Sequence, residues 1–309
     1  VKVTVDLWLK RAERYVLKHE EQWTPSANVG FETLNHLMRV WVQSERIGEH
    51  RTEVEAARAA QHEDGGWGDK RDEAQSQMRT TAFCCQMLLR ANRTLKDQRV
   101  SETIKQALDF LLAQQDPDGG WTDKRWHRLD ATSVSVGTLI FAVREPYSCT
   151  QYTQSLKRGM SFVAKARADD GLWYHKPTSS PIEITAHLLQ KVALYDNGRG
   201  DIHRAIQGLL EHQDEQGHWD KRDVDSTCDA LRSMMLAVGV SGGKELVDEV
   251  AGAADRGIAW LGSVQASDGG YGVRPERPSK VLYTCDVIDT LLKYDAFESG
   301  AGSLVGFYQ

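Results

Sequence analysis

QDPDGGW, residues 115–121, is the stretch that decides the fold of this chain. It closes a run of helix-like apolar spacing, turns on two glycines and stops at a tryptophan. Copies stand at 61–67 (QHEDGGW) and 265–271 (QASDGGY), with weaker ones at 167–173 (RADDGLW) and 213–219 (QDEQGHW). A sixth, degenerate turn is HEEQW at 19–23. A second marker follows each turn: Thr33, Thr81, Thr132, Thr185, Thr227 and Thr284, spaced by 48, 51, 53, 42 and 57 residues. Six units of this length indicate a repeat architecture.

Each unit reads as two helices. The segment before a turn is amphipathic, as in SETIKQALDFLLAQQ (101–115) or DIHRAIQGLLEHQ (201–213), with apolar residues near i, i+3, i+4 and i+7. The segment after it is apolar around most of its circumference, as in DATSVSVGTLIFAV (130–143) and STCDALRSMMLAV (226–238). Half-buried helices alternating with mostly buried ones predict an all-α (α/α)6 toroid, six inner and six outer helices, since no hairpin can bury its apolar face alone. No Pro/Gly/Ser linker divides the chain. The expectation is one domain over 1–309, with repeats around 3–46, 50–92, 97–145, 151–196, 201–239 and 243–295.

Composition narrows the function. Forty-four acidic against 38 basic residues give a net charge of −6, which removes the long-range attraction to nucleic acid. No apolar run approaches the roughly 20 residues of a membrane span, and the first thirty residues carry no secretory signal pattern. The five cysteines (Cys84, Cys85, Cys149, Cys228, Cys285) are odd in number and include no CxxC, which fits a reducing cytoplasm.

The glutamine-to-aromatic turns resemble the QW motifs of the squalene–hopene and oxidosqualene cyclase superfamily, which also holds class II diterpene cyclases and protein prenyltransferase β subunits. The resemblance runs from about Trp23 to about Tyr294 and implies the toroid. The motif itself is structural: Gln61, Trp67, Gln115, Trp121, Gln213, Trp219 and Gln265 read as locks between repeats.

Chemistry has to come from the polar stripes of the inner helices. The fifth unit offers Asp225, Asp229 and Arg232, and the fourth Glu183, His187 and Gln190. The sixth offers Asp286 and Asp289, and the second and third open with Arg79 and Asp130. Asp130, Glu183 and Asp225 share one repeat position, two residues before the common threonine. They read either as helix caps or as carboxylates gathered at one level, where repulsion keeps a proton on one of them. Asp223-Val224-Asp225-Ser226-Thr227 is similar to the DxDDT motif of class II terpene cyclases. That resemblance implies Asp225 as the general acid that protonates an alkene or epoxide, with Asp223 beside it. Ser226 stands where the motif has its third aspartate. His187 reads either as a donor supporting the acid or as a wall histidine.

Three turns run into Asp-Lys-Arg: Asp69-Lys70-Arg71, Asp123-Lys124-Arg125 and Asp220-Lys221-Arg222. These cations either gather at the mouth where inner-helix N-termini add positive potential, or are neutralised by their own aspartates. In prenyltransferase β subunits basic residues in a similar place serve the diphosphate, which implies that role for Lys221 and Arg222. Lys124, Arg125, Arg79, Asp130, Glu183, Asp229, Arg232, Tyr283 and Asp286 complete the expected substrate-binding set. The zinc positions of the prenyltransferases fall on Asp225, Thr227 and Tyr283, and the last two are poor ligands, so no metal site is expected.

The function these readings imply is a one-domain class II terpene cyclase of isomerase or lyase type. It would cyclise an isoprenoid, an allylic diphosphate or a meroterpenoid, without a resident cofactor; Mg2+ would enter only with a diphosphate. The alternatives are an acid/base enzyme on a polar substrate in a carboxylate-rich cavity, or a non-catalytic isoprenoid binder. The expected partner is the small-molecule substrate, with no nucleic acid and no integral membrane segment; oligomeric state stays open.

Overall fold

In a computed structural model of the chain, residues 2–23, 30–43, 46–69, 73–144, 147–196, 202–241 and 243–300 are described. They form twelve α-helices: α1 (Lys2–Lys18), α2 (Phe31–Gln43), α3 (Arg51–Ala59), α4 (Met78–Leu95), α5 (Gln98–Ala113), α6 (Arg128–Arg144), α7 (Thr150–Lys165), α8 (Ile182–Asp196), α9 (His203–Glu211), α10 (Val224–Ser241), α11 (Lys244–Ser263) and α12 (Val281–Glu298). Among the described residues there is no strand, only isolated bridges at Gln115–Trp121 and Trp219–Asp223. The chain packs as two compact units, one of Val1–Glu20 with Arg167–Gln309 and the other of Glu21–Ala166.

The alternation expected from the sequence is present in each unit. In the unit of Glu21–Ala166, α5 buries one face, Val100, Thr103, Ile104, Ala107, Leu108 and Leu111, while α6 is buried without a break from Asp130 to Ala142. The enclosed helices α2, α4 and α6 pack on one another in sequence, and α3, α5 and α7 lie against them. In the other unit α8, α10 and α12 are the enclosed series, α9 and α11 flank it, and α1 packs on α12.

The turns explain why the repeats persist. Gly65, Gly119, Gly171, Gly217 and Gly269 all have φ between +86° and +98°, open to glycine at little cost. At Gly217 a Cβ would also stand 2.5 Å from the Arg256 backbone of the next helix. The turn glutamines each donate twice. Gln115 Nε2 reaches its own Gly119 carbonyl at 2.9 Å and the Ser155 carbonyl of α7 at 2.9 Å. Gln61 reaches Gly65 and Thr103, Gln213 reaches Gly217 and Ala253, and Gln265 reaches Gly269 and Trp8. Trp67, Trp121 and Trp219 donate their indole N–H back to the carbonyl ten residues earlier. Each ring buries on the order of 200 Å², worth roughly 5 kcal/mol before conformational costs.

The common threonine has a structural job. In five units its Oγ1 accepts the backbone N–H of the turn's aromatic residue: Trp67–Thr81, Trp121–Thr132, Trp173–Thr185, Trp219–Thr227 and Tyr271–Thr284, all at 3.0–3.1 Å. The bond ties the start of the enclosed helix to the turn before it. Thr132→Val keeps the shape and removes the acceptor from a buried amide, so it should cost about 1–3 kcal/mol of stability. Urea unfolding measures that loss, and an unchanged midpoint would refute the assignment.

Candidate active site

His187 of α8, Asp229 and Arg232 of α10, and Asp286, Asp289 and Lys293 of α12 meet in a chain of ion pairs, all within the unit of Val1–Glu20 and Arg167–Gln309. Arg232 is its centre. It is 2 % exposed, and its Nη2 meets Asp229 Oδ1 at 2.5 Å. Its Nη1 meets Asp286 Oδ1 at 2.8 Å and Asp289 Oδ2 at 3.4 Å. Lys293 Nζ then closes on Asp289 at 2.6 and 2.7 Å, and His187 Nε2 lies 2.8 Å from Asp229 Oδ2. Helical spacing makes this possible: Asp225, Asp229 and Arg232 are one stripe of α10, and Asp286, Asp289 and Lys293 one stripe of α12.

Asp225 is set apart from this chain. It sits in the first turn of α10, within reach of the charges of Asp286, Asp229 and Glu183, yet among the described residues no hydrogen bond or ion pair reaches its carboxyl. Burial raises its pKa well above the usual carboxylate range, and the charges of Asp286, Asp229 and Glu183 raise it further. Asp229 goes the other way. Burial alone would raise it, but His187 and Arg232 hold it below the ordinary carboxylate range. Burial would likewise lower His187, and the Asp229 carboxylate overcomes that and raises it. Of the two α10 carboxyls, Asp225 is thus the one whose pKa is pushed up and Asp229 the one held down.

The other expected residues divide. Asp223 is the cap of α10, since its Oδ1 accepts the Ser226 N–H at 3.0 Å, and burial raises its pKa. Asp130, Glu183 and Asp225 lie inside the first turns of their helices, so none of them is the residue that precedes the helix. His187 bonds to Asp229 and not to the acid. Tyr283 lies half-buried in the first turn of α12. Lys221 and Arg222 are exposed, without an ion pair among the described residues.

Arg79, Lys124, Arg125 and Asp130 belong to the other unit. Arg125 is neutralised by Asp69 and Glu73. Arg79 pairs with Glu32 at 3.0 Å and lies over the rings of Trp126 and Phe83 at 3.9 and 4.8 Å. Lys124 is exposed, and Lys70 and Arg71 lie outside the described residues. Cys228 and Cys285 are fully buried core residues. Sequence reading missed Lys293, whose signal was its i+4 spacing from Asp289 on an otherwise apolar helix. It also missed His218, which stands where three other turns carry a glycine.

Known proteins share the fold in which this site sits. The type II terpene cyclase MstE from Scytonema superposes with a TM-score of 0.70 over 96 % of this chain and 98 % of its own, at 16 % identity. A GH76 α-mannanase from Bacteroides thetaiotaomicron superposes with 0.71 over 96 % of both chains at 10 % identity. At such identities these likenesses speak for the fold alone. Drimenyl diphosphate synthase from Streptomyces showdoensis is 24 % identical over 230 residues, 71 % of this chain. The chain spans 41 % of that relative's length. The family model described as the prenyltransferase alpha-alpha toroid domain matches residues 29–181 and 154–299. With nearly its whole length matched, the chain belongs to the prenyltransferase α/α-toroid domain family.

Proposed function

We propose that the chain is a class II terpene cyclase that uses Asp225 to start the cyclisation of an isoprenoid by protonation. The observation that carries the proposal is the solitary Asp225 carboxyl in the first turn of α10: among the described residues no hydrogen bond or ion pair reaches it, and burial with the charges of Asp286, Asp229 and Glu183 raises its pKa. In the reaction the Asp225 O–H bond breaks, and the π pair of the terminal alkene takes the proton. The tertiary cation so formed is attacked by the next double bond. Ring closure ends when a proton leaves a neighbouring carbon or water adds, and Asp225 regains a proton from solvent. The negative field of Asp229 and Asp286 serves twice. It keeps the proton on Asp225 at rest, and it favours the positive charge that then develops nearby.

The relatives support an isoprenoid substrate. MstE was solved with geranylgeranyl dihydroxybenzoate as substrate and merosterolic acid A as product, and drimenyl diphosphate synthase is named for a diphosphate. Lys221 and Arg222, just ahead of α10, would meet an anionic head group, and Mg2+ enters only with a diphosphate. The polar-substrate alternative would use Asp130, Glu183 and Asp225 as its acid/base set; of the further carboxyls, Asp229 is held by Arg232 and His187, and Asp286 by Arg232. No helix among the described residues is long and apolar enough to cross a membrane, and five cysteines with no disulfide among them support a cytoplasmic enzyme.

Incubation with geranyl, farnesyl and geranylgeranyl diphosphates and geranylgeranyl dihydroxybenzoate in deuterated water tests the proposal. A cyclised product bearing one new carbon-bound deuterium is the expected result, read by mass spectrometry. Folded protein that converts none of the four would overturn the cyclase reading.

A further inference from the structure

The fifth turn differs from the others in several coordinated ways. From aromatic residue to threonine the other units use 14, 11, 12 and 13 residues, but Trp219 reaches Thr227 in eight. So short a link has to reverse within one turn. Asp220, Lys221 and Arg222 do so with φ of 47°, 57° and 69°, three consecutive non-glycine residues in the left-handed region, where side chains are disfavoured. The Asp223 N–H closes the loop on the Trp219 carbonyl at 3.1 Å. Strain of this kind persists only where the surroundings over-determine it.

His218 provides that restraint. It stands where three other turns carry a glycine and the fourth Leu172, is 6 % exposed, and packs against the Trp260 ring at 5.0 Å between centroids. Its Nδ1 accepts the Arg222 N–H at 3.2 Å, so the proton of the neutral ring sits on Nε2, 2.9 Å from Asp214 Oδ2. Asp214 is anchored in turn, because its Oδ1 accepts the amides of Gln216, Gly217 and His218. The next residues are pinned as well: Val224 donates to the Val273 carbonyl at 2.9 Å, and Ser226 to Asp223.

We infer that His218 is a positioning residue for the acid: through the Arg222 amide it holds the left-handed turn that sets where α10 begins and hence where Asp225 stands. The inference rests on the cyclase reading for its catalytic consequence, while its structural half stands independently. Two substitutions separate the ring nitrogens. In His218→Asn the amide oxygen falls near Nδ1 and still accepts the Arg222 N–H; in His218→Gln the amide falls near Nε2 and reaches Asp214 alone. Hydrogen exchange of the peptide spanning 219–227 should therefore be faster in His218→Gln than in His218→Asn, whatever the protein catalyses. Where cyclase activity is present, kcat should fall by about 10²-fold in His218→Gln, as expected for an acid displaced by about 1 Å, with KM little changed, and recover in His218→Asn. Equal exchange in the two variants would overturn the positioning role. Unequal exchange with equal kcat would overturn only its link to catalysis.

Discussion

Asp225→Asn should lose at least about 10³-fold in turnover and gain thermal stability at neutral pH. The loss follows because an amide has no proton to give to an alkene. The gain follows from the raised pKa of the buried acid. In the unfolded chain Asp225 titrates near 3.8, and in the folded chain it titrates higher. Its contribution to stability is thus full below the unfolded value and is lost as pH rises through the folded one. Asparagine is neutral throughout and escapes that loss. The melting temperatures of the two proteins should coincide near pH 4 and separate as pH rises, the variant melting higher by a few degrees. Parallel melting curves between pH 4 and 8 would show that Asp225 is an ordinary exposed carboxylate.

The second large effect concerns Arg232. Arg232→Met removes a fully enclosed guanidinium that spans Asp229, Asp286 and Asp289. Breaking one side of a buried ion-pair set leaves charges without compensation, and the expected cost is about 3–5 kcal/mol at pH 7. Arg232→Lys should recover part of it, since an ammonium lacks the planar fork that reaches three carboxylates at once. The pH dependence has a definite sign. Asp229 is held low in the native protein, so its stabilisation is present above the unfolded carboxylate pKa and fades as pH falls. The gap between wild type and Arg232→Met should narrow in acid for the same reason. Chemical denaturation at pH 7 and pH 5 reads it, and a deficit under about 1 kcal/mol at pH 7 would refute the role given to Arg232. Without the arginine, Asp229 and Asp286 would also compete with Asp225 for the proton, so activity should fall along with stability.

The fold was legible because its signal is short-range. A glutamine, a glycine pair, an aromatic ring and a threonine recur within about twenty residues of one another, and each makes the bond that its place suggests. The place of Asp225 at the start of α10 was legible for the same reason, through Asp223-Val224-Asp225-Ser226-Thr227. Partners across helices were not. The pairing of Arg125 with Asp69 and Glu73 joins residues 56 and 52 positions apart, where the sequence offered its own Asp123 as the neighbour. His187 could have met Asp225 or Asp229, which lie one turn apart on α10, and only the axial offset between α8 and α10 selects the second. That offset is set by packing side chains along both helices and cannot be counted from spacing. Lys293 was lost among the apolar residues of α12 because its partner Asp289 had no known partner itself.

The bond from Gln265 to the Trp8 carbonyl joins residues 257 positions apart, while the equivalent glutamines reach about forty residues ahead. On the ribosome this one joint inverts the order of assembly. The three other turn glutamines find their partner within the next repeat, but α1 emerges long before the helix it must cover. At ordinary elongation rates of 5–20 residues per second, the interval is roughly 13–50 s. Through that time Leu7 and Leu17, apolar and exposed even in the finished protein, stand beside a core face with nothing to pack on. A nascent chain halted shortly before Gln265 should therefore hold the binding face that a chaperone recognises, and one extended past α12 should release it.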